Sequence, residues 1–392
     1  MKSKVFTLCV VLCVLLNACV SHPSPTAQPI AKTYTPTAIK ASPTSTRLAA
    51  TETALPPTPI PTVIQSSEAS SPVFVYLAEN TLLLQVGTLQ PKPVGVLEDL
   101  GEIRNALMVD DTIFLIRDFG LQRLNLKDGS SKILLRFEDS IMSGQLLLDA
   151  GHSRLFYGAI TYYTSVSMIG FYDLKKETIN SILTYSEPLG TLFILGATED
   201  GQNLILLPHG QDPSIGDLNL VNIKDGTISI EWLVNGYGYA VLAPDSNLIA
   251  MSGHVFNASD ELENRIYIYH PFSIPTSSPK EYKLPSQTSV VGSMGFYWSA
   301  DSNKLYFLLS ENISDPSTQI SDGLWVLDVI TGTQKLVTDL TDITLYINGI
   351  NPDGTRILVR SNVNNEGFLI NSNTGEIRSF SVPVLASFVG WK

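Results

Sequence analysis

A short polar turn followed at once by an apolar strand recurs along this chain, and such a repeat limits the fold to architectures that stack copies of one small unit. The turn is Glu199-Asp200-Gly201-Gln202-Asn203 before Leu204 to Leu207, and Pro244-Asp245-Ser246-Asn247 before Leu248 to Met251. It returns as Ala300-Asp301-Ser302-Asn303-Lys304 before Leu305 to Leu309, and as Pro352-Asp353-Gly354-Thr355-Arg356 before Ile357 to Val359. Weaker copies are Asp110-Asp111-Thr112 before Ile113 and Gly151-His152-Ser153-Arg154 before Leu155. Asp, Asn, Ser and Gly suit such turns because their side chains bond nearby backbone groups, and Gly and Asn tolerate positive φ.

A second strand-and-turn pattern alternates with the first. It reads Leu324 to Gly332 and Phe368 to Gly375, with earlier copies at Leu121 to Gly129, Leu218 to Gly226 and Ile169 to Thr178, where Lys175-Lys176-Glu177 replaces the Gly. Ile266 to Pro271 and Leu82 to Gln90 fit the strand but lack the Gly turn, so seven third strands are expected. The turn aspartates Asp200, Asp245, Asp301 and Asp353 stand 45, 56 and 52 residues apart, near the roughly 40 to 50 residues of a four-stranded propeller blade. Asn351-Pro352-Asp353-Gly354 and Ala243-Pro244-Asp245-Ser246 resemble the turn of the TolB-type, WD40-like (PD40) repeat. That resemblance covers most of residues 73–392 and implies an all-β, β-propeller fold with binding to partner proteins.

The ends of the domain complete one another. Val73 to Leu97 supplies three strands before a new blade opens near Ile103, and Val384 to Trp391 reads as a spare strand. Pairing the two removes an exposed sheet edge. Seven four-stranded blades are expected, with six or eight as alternatives.

Strand direction alternates within a blade, which puts both tight turns on one face and the second-to-third loops on the other. Long loops are expected over Gly158 to Ser165, Pro208 to Gly216, Gly253 to Arg265 and Ser310 to Asp322. Binding residues concentrate on loops held by a rigid scaffold, so this face is the candidate ligand surface. Tyr162, Tyr163, Tyr237 and Tyr239 can serve there as stacking platforms for sugars or peptides, or can pack between blades like most aromatic side chains. Asp260, Glu261, Glu263, Glu311, Asp315 and Asp322 are oxygen donors of the kind calcium takes, but their spacing matches no calcium loop. His152, His209, His254 and His270 are scattered without a zinc-ligand pair. No metal or cofactor is expected.

The first residues form a separate signal. Lys2 and Lys4 precede an apolar run from Val5 to Leu16, shorter than the roughly 20 residues of a membrane-spanning helix. Leu16-Asn17-Ala18-Cys19 resembles the lipobox of bacterial lipoproteins. By that resemblance residues 1–18 are a signal peptide and Cys19 becomes a diacylated N-terminus. Two acyl chains anchor stably where one does not. Residues 19–72 are rich in Pro, Thr, Ser and Ala; such a segment cannot bury enough apolar surface to fold and reads as a disordered linker, or stalk. Val20 follows Cys19 where an Asp would mark inner-membrane retention, so the leaflet stays open. All three cysteines, Cys9, Cys13 and Cys19, lie in this leader, and the folded body must rest on burial instead of disulfides.

A net charge of −12 and 16% charged residues argue against nucleic acid, whose binding needs a Lys/Arg surface. Hydrolase motifs are missing: Val291-Gly292-Ser293-Met294-Gly295 lacks the first Gly of a nucleophile elbow, and Asp353-Gly354-Thr355 only partly echoes a sialidase turn. Two functions remain. One is a monomeric, lipid-anchored extracytoplasmic propeller binding an envelope protein, peptide or glycan. The other is a propeller hydrolase or lactonase with a metal or acidic site in its central channel. The leader makes the first testable point: Cys19→Ala is expected to abolish incorporation of a fatty-acid analogue and membrane association, read by gel fluorescence and fractionation.

Overall fold

The computed structural model describes residues 70–78, 81–149, 151–162, 166–185, 191–209, 216–234, 240–256, 262–270, 279–284, 289–290, 295–310, 321–340, 345–361 and 364–392. All of them belong to one compact unit, Pro56–Lys392.

Seven antiparallel sheets follow one another along this unit. Blade 1 opens with β1 (Pro72–Ala78), β2 (Thr81–Val86) and β3 (Lys92–Val96). Blade 2 is β4 (Ile103–Val109), β5 (Thr112–Arg117), β6 (Gly120–Asn125) and β7 (Ser131–Arg136). Blade 3 is β8 (Ile141–Leu148), β9 (Arg154–Thr161), β10 (Ser167–Asp173) and β11 (Thr178–Tyr185). Blade 4 holds β12 (Thr191–Ala197), β13 (Asn203–His209), β14 (Gly216–Asn222) and β15 (Ile228–Val234). Blade 5 holds β16 (Ala240–Leu242), β17 (Ile249–Phe256), β18 (Leu262–Tyr269) and β19 (Lys280–Lys283). In blade 6 the first strand comes in two pieces, β20 (Ser289–Val290) and β21 (Phe296–Trp298), both paired with β22 (Lys304–Ser310), before β23 (Ser321–Asp328) and β24 (Gln334–Asp339). Blade 7 is β25 (Leu345–Ile350), β26 (Arg356–Ser361), β27 (Glu366–Asn371) and β28 (Ile377–Ser381), and β29 (Ser387–Trp391) returns to blade 1 as its first strand.

The first strands line the axis, each in contact with its neighbour: β29 with β4, β4 with β8, β8 with β12, β12 with β16, β16 with β21, and β21 with β25. Glycines permit that approach. A Cβ on Gly144 would stand 2.8 Å from the Ile116 side chain of blade 2, and one on Gly196 would stand 2.2 Å from Leu242 of blade 5.

Each second strand is a nearly unbroken apolar run because both of its faces are covered by neighbours. In β22, Leu305, Phe307 and Leu309 join the cluster shared with blade 5, while Tyr306 and Leu308 join the one shared with blade 7. In β1, Val73 and Val75 pack toward blade 2 and Phe74 toward blade 7. Every neighbouring pair of blades shares such a cluster.

The tight turns hold as their composition requires. Gly201, Ser246, Ser302 and Gly354 occupy the same place after the turn aspartate, at φ of 63°, 61°, 57° and 73°. Asp353 accepts from the Thr355 amide at 2.9 Å and the Thr355 hydroxyl at 2.6 Å. The hydroxyl donors of Thr198, Ser299 and Thr355 lead the effects that hold Asp200, Asp301 and Asp353 below the usual carboxylate pKa. These aspartates stabilise turns. Glu177, standing where other copies have Gly, takes φ 55° and meets Arg123 of blade 2 at 2.8 Å.

Strands run further than the expected loops. β9 reaches Thr161, β13 reaches His209, and β17 and β18 pair as far out as Phe256 and Leu262. Residues Gly253 to Phe256 and Leu262 to Arg265 are therefore ladder, since their backbones pair in register as a two-stranded ribbon beyond the blade. At the C-terminus the last strand starts at Ser387 instead of Val384. Pro383 has no amide to give a ladder, and Pro383 to Ala386 form a turn closed by the Ala386 amide on the Pro383 carbonyl at 3.2 Å.

Phe74 is fully buried at the closing seam, 6.1 Å from the Phe380 ring and 5.8 Å from the Phe388 ring. Phe74→Ala is expected to lower stability by about 3–5 kcal/mol, measured as a fall in the urea midpoint.

Candidate functional site

Two places in a propeller can carry chemistry: the axial channel and the loop face. The channel walls here are β29, β4, β8, β12, β16, β20, β21 and β25, and among these strands Arg104 is the one charged residue. None of their residues is Asp, Glu or His. Among the described residues no group of three His, Cys, Asp or Glu stands together. Four polar side chains of these strands join one blade to the next. Asn105 Nδ2 donates to the Gly144 carbonyl at 3.3 Å, Gln145 Oε1 accepts from the Ile194 amide at 2.9 Å, and the Tyr297 hydroxyl donates to the Asn348 carbonyl at 2.6 Å. Burial pushes the Tyr297 phenol up to about 12, which keeps it a neutral donor. Trp298 Nε1 donates to the Val241 carbonyl at 3.2 Å. These groups are committed to holding the ring together.

The loop face is defined by chain direction. β1 runs from the tight-turn side toward the opposite side, so the chain enters the propeller at Ser70 on the tight-turn face. Lys392 ends beside it, with Ser71 and Lys392 exchanging amide-carbonyl bonds of 2.7 and 2.9 Å. The loop face lies at the other end of the axis.

On that face three segments of blades 2 and 3 are laced by backbone bonds. The Ile141 amide donates to the Asp118 carbonyl at 2.9 Å, the Phe137 amide to the Phe119 carbonyl at 3.0 Å, and the Tyr162 amide to the Ser140 carbonyl at 2.9 Å. Phe119, Met142 and Tyr162 are exposed there by 44%, 42% and 64%. Met142 sits at a register shift of the β8–β9 ladder, where a bulge turns a side chain outward. A fourth feature is the turn at Val384 and Leu385, exposed by 65% and 81%. Leu385 has φ 59°, a left-handed conformation that a leucine adopts only under local constraint.

The constraint is a buried arginine. Arg360 donates through Nη1 to the Ala386 carbonyl and through Nη2 to the Pro383 carbonyl at 3.1 Å. Arg117 holds the connection from blade 1 to blade 2 in a similar way, donating to the Glu98 carbonyl at 2.8 Å and to the Gly101 carbonyl at 3.0 and 2.6 Å. Burial lowers the Arg117 pKa, against the opposing pull of Asp99 and Asp118. Asp118 in turn accepts from Arg104 at 2.5 Å and from the Glu102 amide at 3.0 Å. Two connections on this face are thus pinned from beneath by guanidinium groups.

Of the tyrosines named from sequence, Tyr162 stands on this face and Tyr163, Tyr237 and Tyr239 lie outside the described residues, as does Cys19. Asp260, Glu261, Glu311 and Asp315 also lie outside them, while Glu263 and Asp322 belong to β18 and β23, correcting their placement in loops. His152 is a turn residue at φ 49° between β8 and β9, and His270 follows β18 on the tight-turn side. His209 and His254 lie in β13 and β17. Phe119, Met142, Val384 and Leu385 were not legible as site candidates, because nothing in a short apolar residue near a turn separates an exposed position from a buried one. A groove of about 360 Å³ at the seam of blades 7 and 1 opens near the tight-turn face, between Pro72, Gly87, Thr88 and Phe380. Its one charged lining residue, Arg378, is paired with Glu376 at 3.6 Å.

Removing the guanidinium beneath Leu385 gives a direct test of this construction. Arg360→Met is expected to cost about 3 kcal/mol of stability, the lower end for two bonds to a charged donor. It is also expected to speed hydrogen exchange at the Leu385 and Ala386 amides while leaving β4 to β7 unchanged.

No protein-family model matches the chain, and no curated protein matches its sequence. Its fold does match solved structures. An oligogalacturonate lyase in complex with manganese aligns at TM-score 0.52 and 14% identity, over 77% of this chain and 83% of that one. The periplasmic gluconolactonase of Pseudomonas aeruginosa aligns at TM-score 0.52 and 11% identity, over 83% and 99%. A puromycin-hydrolyzing peptidase of Mycobacterium tuberculosis aligns at TM-score 0.53 and 11% identity, over 80% of this chain and 54% of that one. At such identities the likeness is one of fold.

Proposed function

We propose that this propeller is a lipid-anchored binding module of the cell envelope and engages its partner through the loop face. The carrying observation is the contrast between the two places where a propeller does chemistry. The described channel strands hold no Asp, Glu or His, whereas the loop face exposes Phe119, Met142, Tyr162, Val384 and Leu385 on rigid connections. The tight-turn face also exposes Leu89, Ile228, Ile330 and Ile377, but one to a blade, whereas Phe119, Met142 and Tyr162 stand on segments joined directly by backbone bonds. It is a contiguous apolar patch that marks an interaction site.

Chain direction supports the same reading. A stalk reaching Ser70 from an acylated Cys19 would join the propeller on its tight-turn face, at the opposite end of the axis from the loop face. Anchoring would then leave the loop face free. A hydrolytic or lytic role like those of the fold neighbours would need an acid, base or metal ligand set. Asn105, Gln145 and Tyr297 of the described channel strands instead bond neighbouring blades to one another.

A photo-crosslinking residue placed at Tyr162 in the full-length protein, expressed in its native cells, is expected to give adducts of defined mass. The same residue at Ile330, exposed by 69% on a tight turn, is expected to give none. Equal adducts from both positions, or adducts from Ile330 alone, would overturn the assignment of the loop face.

A further inference from the structure

We propose that the loop face of blades 2 and 3 is a docking site for a cationic, amphipathic segment of a protein partner; this rests on the binding reading above and gives that partner a chemistry. Isolated exposed apolar residues are ordinary on protein surfaces. Here Phe119, Met142 and Tyr162 belong to segments joined directly by backbone bonds, Tyr162 to Ser140 and Phe119 to Phe137. Between those segments runs the connection Phe137-Glu138-Asp139-Ser140. Phe137 is buried beneath it, and Glu138 and Asp139 are exposed.

The carboxylates decide what can sit there. Nearby acids on the same face are paired: Asp118 and Glu102 share Arg104, at 2.5 and 3.4 Å, and Glu98 meets Arg136. Glu138 and Asp139 make no ion pair among the described residues. The surface is therefore apolar side chains flanking two unneutralised negative charges. Complementarity asks for the reverse, apolar groups alternating with Lys or Arg.

Other occupants fit less well. An anionic lipid headgroup or nucleic acid would meet like charge. A neutral sugar could hydrogen-bond Glu138 and Asp139 but would leave their two negative charges uncompensated. A second copy docking by the same patch would set Glu138 and Asp139 of both copies together, in a chain already carrying −12.

The test uses the full chain in nanodiscs of neutral lipid, with empty nanodiscs as the blank. The probes are three fluorescein-labelled peptides: one of alternating lysines and leucines, one with glutamate for lysine, and one with serine for leucine. Fluorescence anisotropy is expected to show binding of the lysine-leucine peptide alone. Its affinity should fall about tenfold, near 1.4 kcal/mol, in Phe119→Ser with Tyr162→Ser, and likewise in Glu138→Lys with Asp139→Lys. The tight-turn variants Ile330→Ser and Glu199→Lys should leave it within about twofold, with all variants keeping the wild-type melting temperature.

Binding unaffected by the loop-face variants, or equal binding of the glutamate or serine peptide, would overturn the proposed chemistry. Crosslinks from Tyr162 alongside a failed peptide series would keep the loop face as the binding surface and reject the cationic partner. Loss of both would reject the surface itself.

Discussion

A blade of four strands has two apolar faces and no means of covering either, so none of the seven is stable until the ring is shut. The bond that shuts it is the antiparallel pairing of β29 with β1, finished by the reciprocal bonds between Ser71 and Lys392 at 2.7 and 2.9 Å. That pairing joins residues more than three hundred positions apart, the longest loop closed by any strand pairing among the described residues. It also removes the only sheet edge that a ring would otherwise leave at its seam. The cluster of Phe74, Leu358, Val382 and Ala386, with Phe380, Phe388 and Trp391 against it, then seals blade 1 onto blade 7.

Closure also sets the two ends of the axis apart. Because entry and exit both fall on the tight-turn face, that face is occupied by structural work: Asp and Asn side chains cap their own turns, and residues at positive φ reverse the chain. The opposite face has no such duty. Its connections are held from below by Arg117 and Arg360, whose buried guanidinium groups bond backbone carbonyls of the connecting segments. A buried charge is tolerated only where its donors are used, and here they fix the loops that carry Leu385 and border Asp118. Holding these two connections and using the Nη donors of two buried cations are one arrangement, with Arg360 Nε left without a partner among the described residues.

The channel illustrates how one fold serves different ends. Fold neighbours include a lyase and a gluconolactonase, yet function resides in side chains placed on a fold, not in the fold. In this chain the described first strands hold Arg104 as their one charged residue, and the amides of Asn105 and Gln145 tie neighbouring blades together.

Much of this was legible in the residues themselves, because turn chemistry and strand burial are local. Asp-Gly and Asp-Ser pairs announced the turns, and unbroken apolar runs such as Leu305 to Leu309 announced strands buried on both faces. The three-strand start at Val73 and the spare strand near Trp391 implied the shared blade. Local signals stop where long-range contacts begin. Whether Gly253 to Phe256 continued a ladder depended on Leu262 to Arg265 pairing with it, and whether Val384 and Leu385 were strand or turn depended on Arg360 reaching their neighbours' carbonyls. The same limit hid the surface of Phe119, Met142 and Tyr162 with Glu138 and Asp139: five residues from separate connections become one surface only when blades 2 and 3 are stacked. Repeats and turns therefore specify the ring, while exposure, which is a property of neighbours far along the chain, is decided only when the ring has closed.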